Sequence, residues 1–157
     1  MVELVKNKII YTLKTEIFHL IAALTAALMV HILFGDIRYS ILALAVAFFV
    51  DVDHLLDYLL AEGFRVDFKS FFSGEFFSKW GKLVIFFHGW EYVLIFLVLF
   101  LFTKTPVFAV LSIALFSHYT VDFFTNPCVD KFGYFLTFRL RNKFRFNKVL
   151  SNKNRSL

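Results

Sequence analysis

Residues 40–60 read as one apolar helix, yet the second half of that run carries Asp51, Asp53, His54 and Asp57. About twenty apolar residues is the length a bilayer core requires of a helix. An acid at the centre of such a helix costs roughly 2.5 to 3.5 kcal/mol on insertion scales, so this concentration of acids needs compensation. Aspartate and histidine together suit a divalent cation such as Zn²⁺, whose charge reverses the desolvation penalty that would otherwise neutralise the carboxylates. The run therefore poses two questions: where the helix sits, and where the remaining ligands come from.

Composition answers the first. The 157 residues are 59% hydrophobic and 20% aromatic, against about half apolar and about a quarter charged in an ordinary soluble domain. The expected fold is all-α, an integral membrane four-helix bundle forming a single domain over 1–157. No cleavable signal peptide is expected, because residues 1–14 are mixed and charged and no small-residue cleavage site follows the first apolar run. The single cysteine, Cys128, rules out an intramolecular disulfide and a thiolate cluster, which leaves nitrogen and oxygen as metal donors.

The spans are expected at about 16–34, 40–60, 83–102 and 106–124. Gly35-Asp36 and Glu62-Gly63 close the first two. Lys82 precedes the third, Pro106 opens the fourth where its missing N–H costs nothing, and Asn126-Pro127 stops it. Four spans put both termini on one side. Of the 17 basic residues, all but Arg38 and Lys104 then fall on that side, and the positive-inside rule makes it cytoplasmic. The expected location is the inner, cytoplasmic membrane, with multiple passes.

This topology places His19, the Asp51 to Asp57 group, His88, and His118 with Asp122 near the cytoplasmic ends of the four spans. At about 100° per residue, Asp51 and His54 share a face, as do His118 and Asp122, whereas Asp53 lies about 100° from His54. The fan from Asp51 through His54 and Asp57 to Asp53 is too wide for one ion. It calls for two metals, or for one aspartate that orients a ligand or acts as base. The candidate ligands are His19, Asp53, His54, His88, His118 and Asp122; Asp51 and Glu91 are candidate bases or orienting groups. His31 stands apart, as a packed or hydrogen-bonded histidine.

Other features take plainer readings. Phe64, Phe68, Phe71, Phe72, Phe76, Phe77 and Trp80 follow helical spacing between charges, as interfacial amphipathic helices do. The basic tail, 131–157, is read as an anchor to anionic lipid, each charge being worth about 1 kcal/mol near the surface. Nucleic acid is not needed to explain the net charge of +5. A second functional class, an ion or proton conductor, uses intramembrane ionisable groups too. A conductor needs polar residues continuing to the outer face, where these spans offer only His31 and small hydroxyls.

An early histidine (His19), Asp-x-Asp-His on the second span (Asp51, Asp53, His54), a third-span histidine (His88) and a final His-x-x-x-Asp followed by threonine (His118, Asp122, Thr125) resemble the YdjM-like family of inner-membrane metal-dependent hydrolases. The similarity covers about residues 16–127. That family is distantly similar to zinc-dependent phospholipase C and the S1/P1-type nucleases. The resemblance implies metal-assisted hydrolysis, with a phosphoester among the possible substrates. One departure bears on substrate: the family's third motif continues with arginine and later a second histidine, where this chain has His88-Gly89-Trp90-Glu91-Tyr92. The residue best fitted to grip phosphate bidentately is absent, and Glu91 stands as the candidate replacement for the histidine.

Overall fold

A computed structural model describes residues 2–65, 67–126 and 129–150, without the side chains of residues 2–14, Lys69 and Ser73. The side chains of Lys6, Lys8, Lys14 and Lys69, the stop at Pro127, Cys128, and Lys153 and Arg155 of the tail therefore lie outside the described residues. The chain is all-helical. In order, the helices are α1 (Val2–Phe34), α2 (Ile37–Phe49), α3 (Val52–Glu62), α4 (Phe68–Ser73), α5 (Glu75–Trp80), α6 (Trp90–Thr103) and α7 (Pro106–Thr125), then a 3₁₀ turn at Lys131–Tyr134, α8 (Leu136–Arg141) and α9 (Phe146–Val149). Among the described residues, three stretches are long and apolar enough to cross a membrane: Thr15–Phe34, Ile37–Glu62 and Pro106–Thr125.

The chain divides into two compact units: Met1–Phe49 with Val93–Thr125, and Val50–Tyr92 with Asn126–Leu157. In the first, α1, α2 and α7 pack around Ala23, Val30, Ala43, Ala47, Val110 and Ala114. These are small residues. Large ones, among them Ile17, Phe18, Leu24, Leu28, Ile32 and Leu33, are exposed. Water would reverse that distribution, whereas lipid does not: with no hydrophobic force between helices, close approach over small side chains and interhelical hydrogen bonds hold them together. Both are present. Ser117 Oγ on α7 donates to the Ala22 carbonyl on α1 at 2.8 Å, and Ser112 Oγ donates to the Val93 carbonyl on α6 at 3.0 Å.

The expected second span is interrupted. Turn residues Val50 and Asp51 separate α2 from α3. In a continuous helix the carbonyl of residue 47 accepts the N–H of residue 51, but here the Ala47 carbonyl accepts from His118 Nδ1 at 2.8 Å. The backbone answers with the tighter i→i+3 bond His54 N–H to Asp51 O, 3.0 Å, a 3₁₀ feature.

The expected third span, 83–102, is corrected. Only Trp90–Thr103, 14 residues, is helical, short of the length that crosses a bilayer core perpendicularly. Residues 83–89 are held in an irregular conformation because three of their backbone N–H groups are taken by carboxylates of α3. Asp57 Oδ2 accepts from Val84 and Ile85 at 2.8 and 3.0 Å, and Asp53 Oδ2 accepts from Phe87 at 2.8 Å. Ile85 sits at φ 28°, costly for a β-branched residue. Its N–H is fixed by Asp57 and its carbonyl accepts from Arg139 Nη2 at 2.9 Å.

The second unit packs Leu83, Ile85 and Val149 against Phe77, Val129 and Phe146. Around it, Phe64, Phe68 and Phe72 are exposed and Phe76 is buried, with Gly74 at φ 68° breaking the Phe-rich segment into α4 and α5. Nor is the described part of the basic tail a free arm. Arg139 is 0% exposed, its Nη1 donating to the Gly133 carbonyl at 2.7 Å, which removes it from the charges that can meet lipid. Gly133 itself is required: a Cβ there would lie 2.7 Å from methyls of both Val129 and Val149.

Candidate metal-binding site

The expected ligands gather into two clusters, one in each unit. In the second unit the organising residue is His88, brought to the end of the irregular 83–89 segment by the carboxylates that pin that segment to α3. Its Nδ1 lies 2.9 Å from Asp53 Oδ2 and its Nε2 3.0 Å from Asp51 Oδ1. His54, one turn into α3, places Nε2 3.5 Å from the same Asp51 oxygen, with its ring edge-on to that of His88 at 5.0 Å. Asp53 and His88 are each 1% exposed, whereas the side chains of His54 and Asp51 are about a third exposed. The cluster thus has a buried back and an open front.

The geometry suits a cation. Four ligands around zinc at 2.0–2.1 Å stand about 3.3 Å apart along each edge of the tetrahedron, and the two Nε2-to-Asp51 distances, 3.0 and 3.5 Å, bracket that value. Asp53 behind His88 makes the carboxylate–histidine pair that fixes tautomer and ring orientation in metal sites. Asp53, His54 and His88 each offer a ligand atom within 4.8 Å of the others. The second oxygen of Asp53, Oδ1, is buried with no hydrogen-bond partner, an arrangement that costs free energy unless a cation or a proton donor meets it. Two imidazoles with carboxylate, and no thiolate, form the donor set of catalytic rather than closed structural sites.

In the first unit, α1 and α7 bring His19, His118 and Asp122 together. His19 Nε2 lies 3.1 Å from Asp122 Oδ1 and His118 Nε2 lies 3.4 Å from Asp122 Oδ2, so each imidazole faces one oxygen of a single carboxylate. The rings stack at 4.5 Å and 22°. Donation from His118 Nδ1 to the Ala47 carbonyl turns Nε2 toward Asp122. His19 Nδ1 is buried without a hydrogen-bond partner.

Two residues stand differently from the sequence expectation. Glu91 lies outside both clusters: Oε2 accepts from Leu136 N–H at 2.9 Å, while Oε1 accepts from Thr137 N–H and Oγ1 at 2.8 and 2.6 Å. Its carboxylate is consumed in capping α8, where an acid suits the unsatisfied N–H groups of a helix start. Asp57, which the sequence places only within the fan around His54, is 2% exposed and pins Val84 and Ile85. The signal for Asp57 was present in the i, i+4 spacing from Asp53, which puts both carboxylates on one face of α3; their backbone partners, 27 to 34 residues away, have no local signature. His31 is clear of both clusters, with Nδ1 3.3 Å from Ser40 Oγ. Comparison with protein-family models, with curated proteins and with solved structures finds no match.

Proposed function

We propose that this chain is a membrane-embedded metal-dependent hydrolase in which Asp51, His54 and His88 hold a divalent cation and Asp53 orients His88, zinc being the best fit to the donors, and that its substrate is a lipid or membrane-associated ester. One observation carries the reading: a single oxygen of Asp51 stands at ligand-to-ligand distance from two imidazole Nε2 atoms, one of which is oriented from behind by a buried carboxylate. When bound, the ion supplies a Lewis acid and acidifies water toward neutral pH. The chain's own residues do the rest. Asp53 holds the His88 ring so that Nε2 faces forward. Asp51, at the open front, is the carboxylate placed to take a proton. The order of the motifs, which resembles that of the YdjM-like hydrolases, supports the same reading. Zinc is a first choice on donor type alone, since two histidines and carboxylate also suit iron(II).

The cytoplasmic face of the inner membrane is the proposed location, with Lys131, Arg141, Lys143, Arg145 and Lys148 meeting anionic lipid.

Protein purified in mild detergent without chelator is expected to carry at least one equivalent of zinc, manganese or iron by elemental analysis. His88→Ala is expected to lose it. Turnover of an ester lipid should stop on chelation and return with metal. Stoichiometry near zero under metal-replete conditions would overturn the hydrolase reading in favour of an ion or proton conductor.

A further inference from the structure

The first unit contains a groove of about 460 Å³ between α1, α6 and α7, within the roughly 300–1,000 Å³ of small-ligand sites. No charged residue lines it, and its larger side chains include Met29, Leu97 and Phe116. Four hydroxyls also line it, and each is already committed. Thr25 donates to the Ile21 carbonyl and Thr120 to that of Phe116, at 2.8 and 2.7 Å; Ser112 donates to Val93 and Ser117 to Ala22, at 3.0 and 2.8 Å. With their protons turned into the backbone, these side chains present methyl, methylene and oxygen surface to the groove and no free donor. A polar ligand finds no hydrogen-bond donor there to replace those it leaves in water, whereas an alkyl chain needs none.

What enters follows from where the walls stand. Both α1 from Thr15 and the whole of α7 are long and apolar enough to cross a membrane, so hydrocarbon surrounds the mouth. The groove also has direction. At one end Ala22 lies one turn from His19, and Ser117 and Val121 adjoin His118 and Asp122 in the sequence of α7. Met29 lies seven residues beyond Ala22, about 10 Å along the axis at 1.5 Å per residue.

We propose that this groove binds one acyl chain of a membrane phospholipid, with the polar end of the lipid toward His19, His118 and Asp122. The proposal rests on the membrane reading. It also deepens the hydrolase reading by making the substrate an acyl lipid, but it concerns binding, and the test reads binding without turnover.

The full chain is reconstituted in phosphatidylcholine vesicles containing a trace of phosphatidylcholine with a diazirine midway along one acyl chain, then photolysed, and the adducts are mapped by mass spectrometry. Ile32 and Leu33, exposed on α1 at 74% and 60%, report contact with bulk lipid. Labelling of Met29, Leu97 and Phe116 is expected to exceed theirs about tenfold, the ratio that a preference of about 1.4 kcal/mol sustains. Ala22→Phe, which fills the polar end of the groove, should abolish the excess, and Met29→Trp, which fills the other end, decides the matter if Ala22→Phe does not fold. Even labelling of the two sets, or an excess that survives both substitutions, overturns the proposal. So does protection of the groove by a second copy of the chain, seen as absent adducts at all three residues. Selective labelling in protein that neither holds metal nor hydrolyses lipid would leave the acyl site standing and remove the hydrolase reading.

Discussion

Asp53 Oδ2 accepts from the Phe87 backbone and meets the ring of His88, so its replacement separates structure from ligand orientation. Asp53→Asn keeps a carbonyl oxygen for Phe87 but loses the charge that fixes the imidazole. Removing such an orienting partner costs about 10–100-fold in metal affinity. The expected outcome is that loss in a chelator-competition titration, with the unfolding midpoint nearly unchanged. Equal metal affinity in the two proteins would show that Asp53 serves the fold alone. Two histidines of α1 give a second contrast. His19 meets Asp122, whereas His31 lies twelve residues on, about 18 Å along the axis, and meets Ser40. His19→Ala, which alters the cluster that faces the polar end of the lipid, should lower hydrolysis, and His31→Ala should leave it near wild type. The reverse result would favour a path crossing the membrane.

At the scale of elements, the decisive feature is how α3 controls the segment before α6. Hydropathy reads side chains, and by side chains residues 83–88 are apolar enough to be the start of a span. Their conformation is decided instead by backbone hydrogen bonds to two aspartates on another helix and by Arg139 from α8, long-range partners that no local pattern encodes. The same blindness hides the role of Glu91: spacing places it one turn from His88, while its oxygens are taken by α8. What was legible was local, namely the all-helical class, the first and fourth apolar runs, the Gly and Pro punctuation, and the histidines and aspartates that cluster. Asp57 tests this account of α3. Asp57→Ala leaves two N–H groups, one of them on the strained Ile85, without their charged acceptor. With hydrogen bonds to charged groups worth about 1.5–3 kcal/mol each, a loss of about 3 kcal/mol is expected in unfolding measured in detergent, and Asp57→Asn should recover part of it. A change below about 0.5 kcal/mol, the range of ordinary surface substitutions, would mean that the 83–89 segment is held by its core packing and not by α3.

For the whole molecule, the distribution of charge and the distribution of side-chain size point to the same surroundings. Small residues packed between α1, α2 and α7 with large apolar ones facing outward describe a unit built for lipid, and the proposed cytoplasmic orientation rests on the basic residues, all of which but Arg38 and Lys104 the expected topology puts on one side. Lys104 follows α6 at φ 55° in the short turn before Pro106, a backbone state that leaves it at the tip of the connection. Lys79, in the last turn of α5, is one of the residues that the expected topology puts on the cytoplasmic side. The positive-inside rule therefore predicts opposite accessibilities. In a background with Cys128 replaced, a cysteine at Lys104 should react with an impermeant thiol reagent applied to intact cells, and a cysteine at Lys79 should react only after the membrane is opened. Labelling of Lys79→Cys but not Lys104→Cys in intact cells would invert the orientation, put the His88 cluster's substrates outside the cytoplasmic leaflet, and leave the concentration of lysine and arginine to be explained by something other than insertion.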